Sequence, residues 1–201
     1  SKYLIENSKL EEGNIDYNRT KMVSIVGTRN ITEYGKAQTI RLVEEIAERH
    51  PDACIVSGMA YGVDITAHRT AVKCGLSTIG VLAHGLDMLY PLVHRSTAVE
   101  MFTKGGLVTE FLSKTNPDRQ NFVRRNRIVA GISCATIVIE SGSRGGSLIT
   151  AELASSYNRE VFAVPGRLND KFSEGCNKLI RTNKASMIAS VDDLDYILGW
   201  N

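Results

Sequence analysis

The residues of this chain with the means to do chemistry are arginines set among glycines, not paired acids and bases. The nine residues 119–127 hold Arg119, Arg124, Arg125 and Arg127 together with Phe122 and Asn126, and no acid. Read as a helix, this segment puts Phe122 and Asn126 on one face at i, i+4 and Arg124 and Arg127 on another at i, i+3. An aromatic ring beside a cationic track is what single-stranded nucleic acid requires, the ring taking a base and the guanidinium groups the phosphates. A solvated basic helix with Phe122 and Ile128 packed into a core has the same pattern. A further arginine stands in Gly27-Thr28-Arg29-Asn30, directly after an apolar run. There it offers bidentate capture of a phosphate, or a salt bridge to Glu33 or Asp64 that merely holds the loop.

Two glycine- and serine-rich turns add anion-binding potential. Ser57-Gly58-Met59-Ala60-Tyr61-Gly62 precedes one helical pattern, and Glu140-Ser141-Gly142-Ser143-Arg144-Gly145-Gly146-Ser147 precedes another. Free amides in such turns cradle anions. Ser147 is the expected N-cap of the second helix, with Gly146 allowing close approach of a phosphate or sugar.

Other chemistries are disfavoured. A dinucleotide fingerprint needs glycine where Arg29 stands, and the strand ending Ser57-Gly58 lacks the acid that would hold a ribose. No lysine follows Gly146 as a phosphate-binding P-loop requires. No G-x-S-x-G elbow exists, and His50, His68, His84 and His94 lack metal-ligand spacing. His68 reads as a helix-surface or cap-stabilising residue. Asp64, Asp87 and Glu110 are scattered, so no catalytic residue, metal or cofactor is expected. Cys54, Cys74, Cys134 and Cys176 form no C-x-x-C pair, which argues against a zinc site. Cys176, among polar neighbours, is the thiol expected to react.

The elements that must position these residues alternate between two periods. Continuous β-rich runs at 23–26, 53–56, 78–82, 107–110, 136–139 and 161–164 predict strands. Helical spacing at 37–49, 63–74, 95–104 and 147–157 predicts helices between them. That alternation means βαβ units, hence a doubly wound, mainly parallel α/β sheet with helices on both faces. Ligands then bind outside the carboxyl ends of the strands, where the strand order reverses, and all three turns lie at such ends. Residues 1–20 are polar with a weak helical pattern around Leu4, Ile5 and Leu10, and read as a lead-in to one domain over 21–201. The chain opens on Ser, which points to a fragment of a longer protein.

The composition fits a soluble, cytoplasmic globular domain: 201 residues, 43% hydrophobic and 23% charged. No apolar run approaches the ~20 residues of a membrane helix. With 24 Lys and Arg against 22 Asp and Glu the net charge is only +2, so nucleic-acid binding needs the positive charge concentrated in one place.

Taken in order, the motifs VGTRN (Val26–Asn30), SGMAYGVDITAH (Ser57–His68), GLDMLYP (Gly85–Pro91), TEF (Thr109–Phe111), FVRRNRIVAGIS (Phe122–Ser133), GSLITAELA (Gly146–Ala154), REVFAVPG (Arg159–Gly166) and GCNKLI (Gly175–Ile180) resemble the DprA/Smf family of bacterial DNA-processing proteins. The resemblance covers about residues 21–190. It implies an extended Rossmann-like fold and a non-enzymatic, homodimeric protein that binds single-stranded DNA and helps load RecA in natural transformation. It further implies that Arg29 holds a phosphate with Gly27, Thr28, Ser57 and Gly58 as donors. Phe122 would stack on a base beside Arg119, Arg125, Asn126 and Arg127, with Gly146 and Ser147 as the far wall. Tyr61 stands where many relatives carry a basic residue, and Val123 where they carry proline. The helical and winged-helix domains that often flank this core do not fit within 201 residues. An alternative of another class is a LOG-like phosphoribohydrolase, with Glu152 of SRGGSLITAE (Ser143–Glu152) in the place of the catalytic glutamate, although the P-G-G and G-T elements of its motif are absent. A regulatory module with an empty pocket is a third.

Overall fold

A computed structural model describes residues 11–18 and 21–200. Eight strands form one sheet: β1 (Glu11–Gly13), β2 (Met22–Val26), β3 (Cys54–Gly58), β4 (Ser77–Val81), β5 (Gly106–Val108), β6 (Ala135–Val138), β7 (Glu160–Ala163) and β8 (Ser186–Met187). Their order is β1-β5-β4-β3-β2-β6-β7-β8. All neighbouring pairs are parallel except β1 with β5. The chain winds outward from β2 through β3 to β5, then returns to the other side of β2 at β6, so the order reverses at β2.

Among the described residues six α-helices lie between strands, α1 (Glu33–Arg49), α2 (Val63–Lys73), α3 (Arg95–Met101), α4 (Arg119–Gly131), α5 (Gly146–Ser156) and α6 (Glu174–Arg181), and a seventh, α7 (Val191–Leu198), follows β8. Strand residues alternate between faces. Val23, Ile25, Ile55 and Ile137 pack under α1, α2 and α7 through Leu42, Ile46, Ala67 and Leu194. Met22, Val26, Val56 and Val138 pack under α4, α5 and α6 through Val129, Ala151 and Leu179. A smaller cluster, Met59, Leu82, Met101 and Leu107, seats α3. Burial on both faces is why the central strands read as unbroken apolar runs.

The doubly wound fold expected from the sequence is the one observed, with element ends shifted by a few residues. β1, α6, β8 and α7 were not predicted. Within the stretch read as a lead-in, Glu11–Gly13 is the antiparallel edge strand of the same sheet; the weak helical pattern around Leu4, Ile5 and Leu10 lies outside the described residues. No helix among the described residues is long and apolar enough to cross a membrane.

Candidate functional site

Where the strand order reverses, the loops after β2, β3 and β6 and the start of α4 enclose a cleft of about 720 Å³. The loop after β2 is fixed from below. The amide of Thr28 donates to the Glu140 carbonyl at 2.8 Å. The Glu140 carboxylate, buried, accepts from the amide of Thr32 at 3.0 Å and from its hydroxyl. Thr32 in turn caps α1 by accepting from the Gly35 amide at 3.1 Å. From the side, Gly62 at φ +76° lets α2 start directly against this loop, where a Cβ would strike the carbonyl of Thr28. The amide of Val63 donates to that carbonyl at 3.2 Å.

Held in this way, Arg29 lays its guanidinium over the Phe122 ring, 4.8 Å from the centroid. Tyr90 meets the same ring at 6.1 Å. Among the described residues Arg29 makes no ion pair with Glu33 or Asp64. Asp118 caps α4 by accepting from the Asn121 amide at 2.7 Å, which sets the register that turns Phe122 to the cleft.

Arg125 forms the cleft floor. It is 6% exposed and donates to the Val81 carbonyl. It fits because Gly58 has no side chain, since a Cβ there would strike the guanidinium. Burial lowers the Arg125 pKa, and Asp64 opposes that shift. Asp64, also buried on the cleft wall, has its carboxyl pushed up by desolvation; Arg125 draws it back most, followed by the Ala60 amide and the Ser57 hydroxyl. The floor thus holds a buried guanidinium with a buried carboxyl beside it.

Ten of the twelve expected site residues line the cleft: Gly27, Thr28, Arg29, Gly58, Arg119, Phe122, Arg125, Asn126, Gly146 and Ser147. Two do not. Ser57 lies beneath it, fully buried, its hydroxyl donating to the Ile25 carbonyl at 2.6 Å. Arg127 points away, because residues two apart on a helix face opposite sides; it pairs with Glu110, which also holds Arg124 at 3.6 Å. Ser147 departs from expectation differently. Gly145 is the N-cap of α5, and Ser147, two residues further in, lines the cleft and keeps a buried hydroxyl without a hydrogen-bond partner among the described residues.

Arg144, Tyr90 and Asp64 are cleft residues that the sequence reading did not assign. Arg144 stands in the glycine turn itself and was legible there. The other two are brought in only by the folding of distant loops.

Three further expectations are corrected. His68 is fully buried rather than on the surface, its pKa driven down to about 3 by desolvation and then by Arg125; its Nδ1 bonds the Thr78 hydroxyl at 2.7 Å. Glu152 is exposed, pairs with Lys184 at 3.8 Å and lies outside the cleft, which leaves the LOG-like alternative without its glutamate. Cys176 is fully buried, with its pKa raised to about 12 by burial and then by Glu140. A thiol in that state is inert. Iodoacetamide on the folded protein at neutral pH should leave Cys176 unmodified by mass spectrometry, and label it only in denaturant.

A family model described as DNA recombination-mediator protein A matches residues 10–198. The chain is similar to DNA processing protein DprA of Bacillus subtilis, at 40% identity over 174 residues, 87% of this chain and 58% of the relative. Across the curated relatives it matches, the chain spans roughly half of their length. Among solved structures it is similar to DprA from Streptococcus pneumoniae, with TM-score 0.83, 34% identity, and 92% and 64% of the two chains covered. It is also similar to DNA processing protein A from Helicobacter pylori, in a structure concerned with that protein's single-stranded DNA binding mode. The TM-score there is 0.84, at 32% identity over 94% and 85% of the two chains.

Proposed function

Because the chain belongs to the family of DNA recombination-mediator protein A, we propose that its cleft binds single-stranded DNA and that it acts without catalysis. On this reading it works in the cytoplasm as a homodimer that delivers DNA to RecA. The observation that carries the proposal is Arg29 stacked on Phe122 at the cleft mouth. A cation and a flat ring are held together there, in a cleft also lined by a glycine turn and by the exposed residues Arg119 and Arg144. Such a site takes backbone charge and base faces, both of which every sequence offers, so binding is largely independent of sequence. The similar Helicobacter pylori protein, whose structure concerns single-stranded DNA binding, supports the same ligand.

The cleft holds acids, Asp64 and Asp118, but neither is free for acid–base work. Asp64 is desolvated against Arg125, and Asp118 is the α4 cap.

The test is fluorescence anisotropy with labelled poly-dT at two salt concentrations. Wild type should bind with affinity that falls as salt rises. Arg29→Ala should bind more weakly on every sequence and lower the salt slope by about 1, one phosphate contact being lost. Salt-independent binding, or an Arg29→Ala protein indistinguishable from wild type, would sink the proposal.

A further inference from the structure

We infer that the DNA strand does not end at Phe122 but continues out of the cleft over Tyr90 and Tyr61, adding a stacking site for at least one more base outside the pocket. This rests on the single-stranded DNA reading of the cleft. Tyr90 already lines the cleft and lies against Phe122 at 6.1 Å, yet is 47% exposed. Tyr61 belongs to the loop after β3. Its neighbour Gly62 packs on the carbonyls of Thr28 and Arg29, so the Tyr61 backbone runs next to the loop that carries Arg29. It too is 48% exposed, and it rests edge-on against the His94 ring at 5.0 Å.

The loop that carries Tyr90 and the His94 ring that meets Tyr61 are both anchored from below. His94 is buried, with Nδ1 2.8 Å from the Met59 carbonyl, and the Tyr90 amide donates to His84 Nε2 at 3.1 Å. Two rings are thus fixed at their roots while half of each surface is left to solvent. Leu92 and Val93, in the short 3-10 turn Leu92–His94 that follows Tyr90, are also exposed. Contiguous apolar surface on a folded domain marks an interaction site. Continuity with the cleft favours the same strand as its occupant over a protein partner.

Charge agrees with this. Arg69, which acts on His94 and donates to the Thr97 hydroxyl at 3.2 Å, and Arg95, next to His94 in the chain, are exposed cations in the same region. The resulting order of ring and cation is the arrangement by which non-specific sites track a single strand.

The experiment compares dT4, short enough for the cleft alone, with dT10 by anisotropy, for wild type, Tyr61→Ala, Tyr61→Phe and Arg29→Ala. Single 2-aminopurine substitutions along the ten-residue strand report stacking base by base. Tyr61→Ala should lower dT10 affinity about fivefold, the low end of one stacked base, and leave dT4 within about twofold. One 2-aminopurine position outside the dT4 footprint should brighten in that variant. Tyr61→Phe should behave as wild type. Tyr61 is half exposed, so its variants should melt with wild type. The inference is overturned, with the cleft reading intact, if Tyr61→Ala binds dT10 like wild type or weakens both lengths equally while Arg29→Ala weakens both. If Arg29→Ala weakens neither length, or wild type binds neither, the cleft reading fails and this one with it.

Discussion

Replacing Arg125 by alanine should destabilise the fold by about 2–5 kcal/mol, the range for emptying a large buried side-chain site, and should abolish tight DNA binding as well. The reason lies in the cleft floor. Arg125 is the largest influence holding the buried Asp64 carboxyl down against desolvation, and its guanidinium fills the space left by the absent side chain of Gly58. Alanine removes the counter-charge and the bond to the Val81 carbonyl together.

The loss has a pH signature. The folded Asp64 pKa already lies above its unfolded value, so the folded state binds the extra proton and stability falls as pH rises through that window. Without Arg125 the folded value rises further, and the window widens upward. Urea denaturation should therefore show a smaller deficit for Arg125→Ala at pH 5, where Asp64 can take its proton, than at pH 8. The double change Arg125→Met with Asp64→Asn removes both charges and keeps most of the volume. It should recover much of the stability and none of the DNA affinity. If Arg125→Ala is as stable as wild type, or its deficit grows toward acid pH, the two residues are not coupled as described.

That coupling was beyond reach of the sequence, and the reason is general to this molecule. The fold was legible because each central strand is buried on both faces and so appears as an unbroken apolar run, with amphipathic helices between. β1 and β8 escaped because three and two residues respectively carry no period, and β1 is two glutamates and a glycine on a sheet edge. At the site, the loops were legible because glycine, serine and arginine at strand ends have few other uses. Side-chain direction was not. Arg125 and Arg127 stand two apart in one basic run, yet one forms the cleft floor and the other binds Glu110, 17 residues earlier in the chain. Cys176 looks polar by its neighbours in sequence and is buried by its neighbours in space.

The second large effect is on Phe122, which the sequence left between base-stacking and core. In the structure Phe122 belongs to none of the hydrophobic core clusters among the described residues. The ring is only partly buried and lines the cleft, with Arg29 over one face and Tyr90 beside it. Phe122→Ala should therefore lose roughly 1–3 kcal/mol of DNA binding, about 5- to 150-fold. Its loss of stability should fall well short of the about 3–5 kcal/mol of emptying a fully buried phenylalanine site. Phe122→Leu sharpens the distinction, because leucine keeps apolar volume but offers no flat face. It should melt like wild type and bind like the alanine variant. A leucine variant that binds as wild type would make Phe122 a packing residue. Arg29 adds a second check, since the ring is also the surface on which its guanidinium rests. The effects of Phe122→Ala and Arg29→Ala on affinity should then combine to less than their sum, as residues in contact do. Strict additivity would mean that the ring and the cation grip the strand separately.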